Sequence, residues 1–408
     1  MKRRYTYLCA AAICLPTLAS ANSAAEQTDS VVLQNSSVAL EPAKEKEPNW
    51  FRKIRLTGSV QTEFLIPVTD AGMGIPHTDR NVYAADVLNN TYFDLTLNAP
   101  YLSLGGRFEW AKWPLPGFEK DFEGWGVPYF WATGRYKWAS LTAGDFYEQF
   151  GSGLILRTYQ ERSLGIDNAI RGGRLKLNPG AGVSFTALGG KQRRYWEHNS
   201  AWLWGADAEW NISEAFPRSF GGDYGLTVGF SYVGKHEKET LVMTDDNAFR
   251  LRLPETTAAF DGRVNLKLKD FSILAEAATK NNEPSADNNY TYRRGSAFML
   301  SGAYSSKGFS ALLQAKRSDN MSWRSDRDMT GVSSFINHLP AFTMTQTYAL
   351  AAMYPYATQP DGEWAFQGEV RYTFKRKTPL GGKYGTGVRL SGSYIAGLDR
   401  NYPAGKPH

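Results

Sequence analysis

The stretch "KIRLTGSVQTEF", Lys53 to Phe64, sorts by parity. Its even positions are Ile54, Leu56, Gly58, Val60, Thr62 and Phe64; its odd positions are Lys53, Arg55, Thr57, Ser59, Gln61 and Glu63. A period of two puts these sets on opposite faces of one β-strand, the first mainly apolar and the second polar and charged. The pattern recurs. Trp202, Trp204, Ala206, Ala208 and Trp210 alternate with Leu203, Gly205, Asp207 and Glu209. Val264, Leu266 and Leu268 oppose Arg263, Asn265 and Lys267, and Trp364, Phe366 and Val370 oppose Gln367, Glu369 and Arg371.

Alternation alone also fits a secreted sandwich, and a solenoid would need an internal repeat that the sequence lacks. Strand length and loop length decide. The predicted strands run to about ten residues, the length of a tilted membrane-crossing strand. Aromatic residues gather at their ends, among them Trp110, Trp138, Trp202, Trp210 and Phe374. Tight turns such as "NAPY" at Asn98 and "NPG" at Asn178 alternate with long polar loops near 66–89, 112–127, 191–200, 235–256, 280–294 and 318–341. The pattern predicts an all-β fold: an antiparallel transmembrane β-barrel of about 16 strands (14–18) over 51–395, with its long loops outside the cell. One of those strands is predicted near 342–354.

The N-terminus carries an export signal. Lys2, Arg3 and Arg4 precede an apolar run, Leu8 to Leu18, and the small residues Ala19, Ser20 and Ala21, so 1–21 reads as a cleaved signal peptide. Both cysteines, Cys9 and Cys14, lie within it, which leaves the mature chain without thiols or disulfides. The formal charge of +6 includes those three basic residues, so the mature chain carries 6 − 3 = +3, too little to suggest nucleic acid. Residues 22–50, ending in "EPAKEKEP", read as a flexible periplasmic leader. The closing "YIAGLDRNYPAGKPH" lacks a terminal aromatic strand, so 396–408 is read as a tail or a truncated continuation.

One segment breaks the strand rhythm. "FGSGLILRTYQERSLGIDNAIRGG", Phe150 to Gly173, holds Arg157, Arg162, Arg171, Glu161 and Asp167 among glycines and the apolar Leu154, Ile155, Leu156, Leu164, Ile166 and Ile170. An apolar set of this size prefers to pack against the inner wall rather than sit in a solvated loop. Three readings are open: a solvated surface loop, a strand extension above the membrane over Gly153 to Tyr159 with only the rest looping, and, favoured by that apolar set, a fold into the lumen with Arg157, Glu161, Arg162, Asp167 and Arg171 at a constriction. The expected lumen-facing charges are Lys53, Arg55, Glu63, Asp207, Glu209, Arg263, Lys267, Glu369 and Arg371.

The larger block "GDFYEQFGSGLILRTYQERSLGIDNAIRGG", Gly144 to Gly173, resembles the most distinctive part of a Bacteroidota outer-membrane barrel family known only as a domain of unknown function. The resemblance implies an outer-membrane location and a barrel fold, with no assigned activity. Members of that family run longer than this chain, in keeping with truncation.

Catalytic and metal chemistry find little footing. His77, His198, His236, His338 and His408 all fall in predicted loops or the tail, without metal-ligand spacing. "EHNS" at Glu197 groups an acid, a histidine and a serine, but a loop lacks the rigid support that a triad needs. "TDDN" at Thr244 and "SDRD" at Ser325 lack calcium-loop spacing, and "GSG" at Gly151 lacks the rest of a phosphate loop. No cofactor is expected. The expected function is a porin-like channel for small hydrophilic solutes. The alternatives are a non-conducting barrel that docks other outer-membrane proteins or lipoproteins and, more remotely, an outer-membrane hydrolase. Outer-membrane lipid and lipopolysaccharide are the expected surroundings.

Overall fold

The computed structural model describes residues 53–66, 87–220, 222–244, 247–331, 333–343 and 356–398. The expected signal peptide (1–21), the expected leader (22–50), most of the strand expected near 342–354 and the last ten residues lie outside the described residues. Fifteen strands form one antiparallel sheet, each paired with its neighbour in chain order. They are β1 (Arg55–Leu65), β2 (Leu88–Asn98), β3 (Leu102–Ala111), β4 (Gly124–Tyr136) and β5 (Ala139–Phe146), and, after an interruption, β8 (Ile170–Gly180), β9 (Val183–Arg194) and β10 (Glu197–Asn211). The sheet continues with β11 (Tyr224–His236), β12 (Thr256–Leu268), β13 (Phe271–Lys280), β14 (Gly295–Ser306), β15 (Phe309–Asp319), β16 (Gly362–Phe374) and β17 (Thr386–Gly397). A separate two-stranded ribbon, β6 (Gln160–Glu161) with β7 (Ile166–Asp167), fills the interruption. No helix among the described residues is long and apolar enough to cross a membrane.

Register carries the parity of the first strand around the sheet. Ser59 stands opposite Asp94, and Asp94 opposite Arg107. Further round, Asp207 stands opposite Ser231, and Ser231 opposite Asp261. The charged parity forms the inner face, where Leu203, Val233 and Ala259 of the same parity are fully buried. The apolar parity faces outward: Phe230, Phe298 and Leu313 are 56%, 46% and 70% exposed. Such a partition is inverted relative to a water-soluble domain, which hides its apolar face.

Two-residue connections at 137–138, 181–182, 269–270 and 307–308 lie at one end, together with the longer 212–223 and 375–385, and the long connections 112–123, 147–169, 237–255, 281–294 and 320–361 lie at the other. One expectation needs correction. The loop expected near 191–200 is instead strand on both sides of a two-residue turn at Tyr195, whose φ is 51°. The ladder absorbs its irregularity as a register shift between His198 and Trp202. β15 and β16 pair directly and antiparallel from Phe309–Tyr372 to Asp319–Gly362. With fifteen strands in up-and-down order, β1 and β17 run in the same direction and no pairing joins them among the described residues. An all-antiparallel ring takes an even number.

Gly172 and Gly190 face each other across β8 and β9. A Cβ added at Gly172 would land on the Gly189 carbonyl, and one at Gly190 on the Arg171 carbonyl, so the two backbones approach as only glycines allow. Gly172→Ala is expected to lower stability by about 1–3 kcal/mol, read from denaturant unfolding of the refolded barrel. An unchanged midpoint would show that the approach is not needed.

Candidate functional site

Residues 147–169 turn inward from the long-loop end and cross the interior. Their local structure follows from the sequence "QERSLGID". Glu161 accepts from the Ser163 N–H (3.2 Å) and the Ser163 hydroxyl (2.6 Å), capping a single 3-10 turn at Arg162–Leu164. Gly165 ends that turn with φ 67°, a left-handed conformation that a glycine adopts without penalty. The chain then doubles back, pairing β6 with β7. Upstream, Leu154, Ile155 and Leu156 are all fully buried, as a strand with one free face could not achieve. They pack with Phe150 of the strap itself and with Phe146, Ile170, Leu203, Val233 and Ala278 of the wall.

Polar contacts tie this strap to widely separated strands. At one end the Ser152 N–H donates to both oxygens of Glu276 on β13 (2.9 and 3.1 Å). At the other, Arg162 donates to Asp94 of β2 (2.6 Å) and to Gln61 of β1 (2.9 Å), its guanidinium lying over the Tyr92 ring. Between them Asp167 Oδ2 accepts from Arg193 of β9 (2.6 Å) and Arg107 of β3 (2.9 Å), and its Oδ1 accepts from the Tyr147 hydroxyl (2.9 Å). Glu109 also binds Arg193 (2.7 Å), and Asp94 also binds Arg107 (2.8 Å). Since one strap reaches β1, β2, β3, β9 and β13, the sheet curls around it into a barrel-like wall.

The five residues expected at a constriction do not act together. Arg162 and Asp167 join the network just described, and Glu161 serves its own turn. Arg157 is half-buried over the Tyr159 ring and has no ion pair among the described residues. Arg171 belongs to β8, one residue after the inward Ile170, and so lies on the outward face. There it forms a two-point pair with Asp145 (2.9 and 2.7 Å) over the Phe130 ring. Among the expected lumen-facing charges, Arg263 gathers Asp207 (2.7 Å) and Glu209 (3.0 Å). Glu369 pairs with Arg371 and with Arg389 (2.7 Å). Glu63 accepts from Gln61 (3.2 Å). Lys53, Arg55 and Lys267 stand exposed toward the short-turn end, without an ion pair among the described residues.

A second inward segment was not foreseen. Residues 320–343 lay their Met321, Trp323 and Ile336 on the strap's apolar residues. The Arg157 N–H donates to the Ile336 carbonyl (2.8 Å), the His338 N–H to the Gly153 carbonyl (3.1 Å), and the Asn337 side chain to the Leu154 carbonyl (2.8 Å). Arg327 reaches Glu237 (3.1 Å), and Lys316 pairs with Glu363 (2.9 Å) while donating to the Pro340 carbonyl. His338 sits edge-on to Tyr159 at the seam. Burial, with the charges of Arg157 and Lys316 nearby, pushes its imidazole down to about 4.

Asp167→Asn is expected to free the strap, because it strips one anion from two buried guanidiniums. The cost is about 3–5 kcal/mol. It would appear as rapid proteolysis within 147–169 in an otherwise folded barrel; wild-type resistance would contradict the role given to Asp167. A second outcome concerns pH. His338 titrates lower folded than unfolded, so protonation favours release of the seam. Protection of 320–343 is expected to be full above pH ~6.5 and to fall as pH drops toward 4, where the folded imidazole titrates. Hydrogen exchange on the wild type and on His338→Gln checks this. The same acid-induced loss in both would show that His338 is not its cause.

No match among curated proteins was found. Several solved structures are similar at low identity. A BenF-like porin from Pseudomonas fluorescens Pf-5 is 10% identical, with 85% of this chain and 94% of that one covered at a TM-score of 0.34. Pseudomonas aeruginosa OccK2 (OpdF) in complex with glucuronate is 11% identical, with 84% and 92% covered at 0.35. Pseudomonas aeruginosa OpdK with vanillate is 12% identical, with 84% and 92% covered at 0.34. A sequence profile, by contrast, matches residues 2–407, and on that match the chain belongs to a family of unknown function, DUF6029.

Proposed function

We propose that the chain is an exported, porin-like outer-membrane barrel that admits small hydrophilic solutes past the strap. The observation that carries this is the partition of the sheet: apolar side chains exposed on its outward face, charged ones gathered on its inward face. An apolar outward face suits lipid, and a charged inner face suits a water-filled passage. Arg107, Arg162 and Arg193 are neutralised by carboxylates, whereas Arg157 has no ion pair among the described residues. Arg157 therefore supplies the local positive potential, and passing anions are favoured there.

The apolar seam between 147–169 and 320–343 favours a second reading, a barrel plugged by its own loops that docks another outer-membrane protein. Planar-bilayer recording of the refolded protein separates the two. Wild type is expected to conduct, and Arg157→Ala to shift the reversal potential toward cations. Silence from both wild type and Asp167→Asn, in which the strap is loosened, would reject the channel. An unchanged reversal potential would remove Arg157 from selectivity.

A further inference from the structure

On the outward face, the connections 237–255 and 281–294 enclose a groove of about 480 Å³ lined by Arg252, Arg294, Tyr292, Asn281, Asn282 and Thr256, among others. We propose that this groove binds the phosphate-bearing headgroup of an outer-leaflet glycolipid, a proposal that rests on the membrane reading above.

The charge arrangement is one-sided. Both arginines are exposed, no carboxylate lines the groove, and neither has an ion pair among the described residues. Two nearby acids are engaged by neighbouring arginines, Glu239 by Arg250 (2.9 Å) and Asp319 by Arg293 (2.6 Å). A larger outward groove of about 720 Å³ offers the contrast, since its lining sets Lys112 beside two acids, Asp121 and Glu123. Two guanidiniums lining one concavity repel each other until an anion lies between them, and a guanidinium fork matches phosphate oxygens in pairs.

Local structure holds the pair in place. Leu251 and Leu253 are buried with Val242, which turns the intervening Arg252 out of that cluster. The Tyr292 hydroxyl donates to the Arg252 carbonyl (2.7 Å), joining the two connections. Position selects a lipid over a free anion. Arg294 shares outward parity with Phe298 and Leu300, and Thr256 with Phe260, all three apolar residues exposed. A headgroup seated in the groove would lay its acyl chains along these residues, placing its phosphate where the polar layer begins.

Native mass spectrometry of the detergent-purified full chain, titrated with diphosphorylated lipid A or with phosphatidylcholine, tests the site. One lipid A is expected to be retained by the wild type and bound roughly thirtyfold more weakly by the Arg252→Ala/Arg294→Ala variant. Phosphatidylcholine should bind both alike, and excess inorganic phosphate should leave lipid A in place. Equal lipid A binding by the variant overturns the proposal, as does displacement by inorganic phosphate, which would mark a free-anion site. Insertion into phosphatidylcholine vesicles is scored in parallel. An inserting wild type with no preference for lipid A refutes only the groove, whereas a wild type that does not insert refutes the membrane reading itself.

Discussion

A guanidinium shut inside a protein needs an anion, and Asp167 is the anion on which two of them converge. Arg107 and Arg193 come from strands β3 and β9, far apart along the sheet, yet both end on one carboxylate oxygen. That convergence draws the strap across the interior and fixes the curl of the wall about it. The apolar core follows, because Leu154 to Leu156 can be buried on every side only once the strap lies inside. The cluster gains little in net energy over an apolar core of similar volume, since burying charges costs much of what pairing returns. What it supplies is position: a mispositioned strap would strand two buried cations.

The two inward segments depend on each other. Residues 320–343 add Trp323 and Ile336 to the strap's core and bond to its backbone at Gly153, Leu154 and Arg157. A change at the Asp167 cluster is therefore felt at the His338 seam, and protonation at the seam is felt by the strap. On the proposed reading, solute entry and loop docking would be two uses of one junction, whose strength the pairings of Asp167 and the burial of His338 set.

Most of the wall was legible because a two-residue period survives wherever one face meets an apolar medium and the other water. It failed in "KQRRYWEHNS", residues 191–200, where polar residues occupy both faces of β9 and β10 and the strands look like loop. In the strap, the surplus of charge and buried-type apolar residues stood out, but the partners did not. Arg193 sat in a misread loop, and Arg107 and Glu109 lay on the polar parity of β3, where the same alternation would have found them. Arg171 was misjudged by treating Phe150 to Gly173 as one loop; once β8 begins at Ile170, parity turns Arg171 outward. The second segment left no local trace, since its role depends on contacts more than 150 residues away in the chain, such as Asn337 with Leu154.

The partition of faces is what every functional statement rests on, and β11 offers the cleanest place to measure it. Residues 22–408 contain no cysteine, so single cysteines can be placed one at a time at 226–233 of that segment in vesicles, each carrying a fluorescent label. The expected result is a two-residue rhythm: labels at 226, 228, 230 and 232 quenched by a lipid-borne quencher, and labels at 227, 229, 231 and 233 not. Equal quenching at both parities, or quenching of all eight by an aqueous agent alone, would contradict a wall with lipid on its Phe230 face and its charges within.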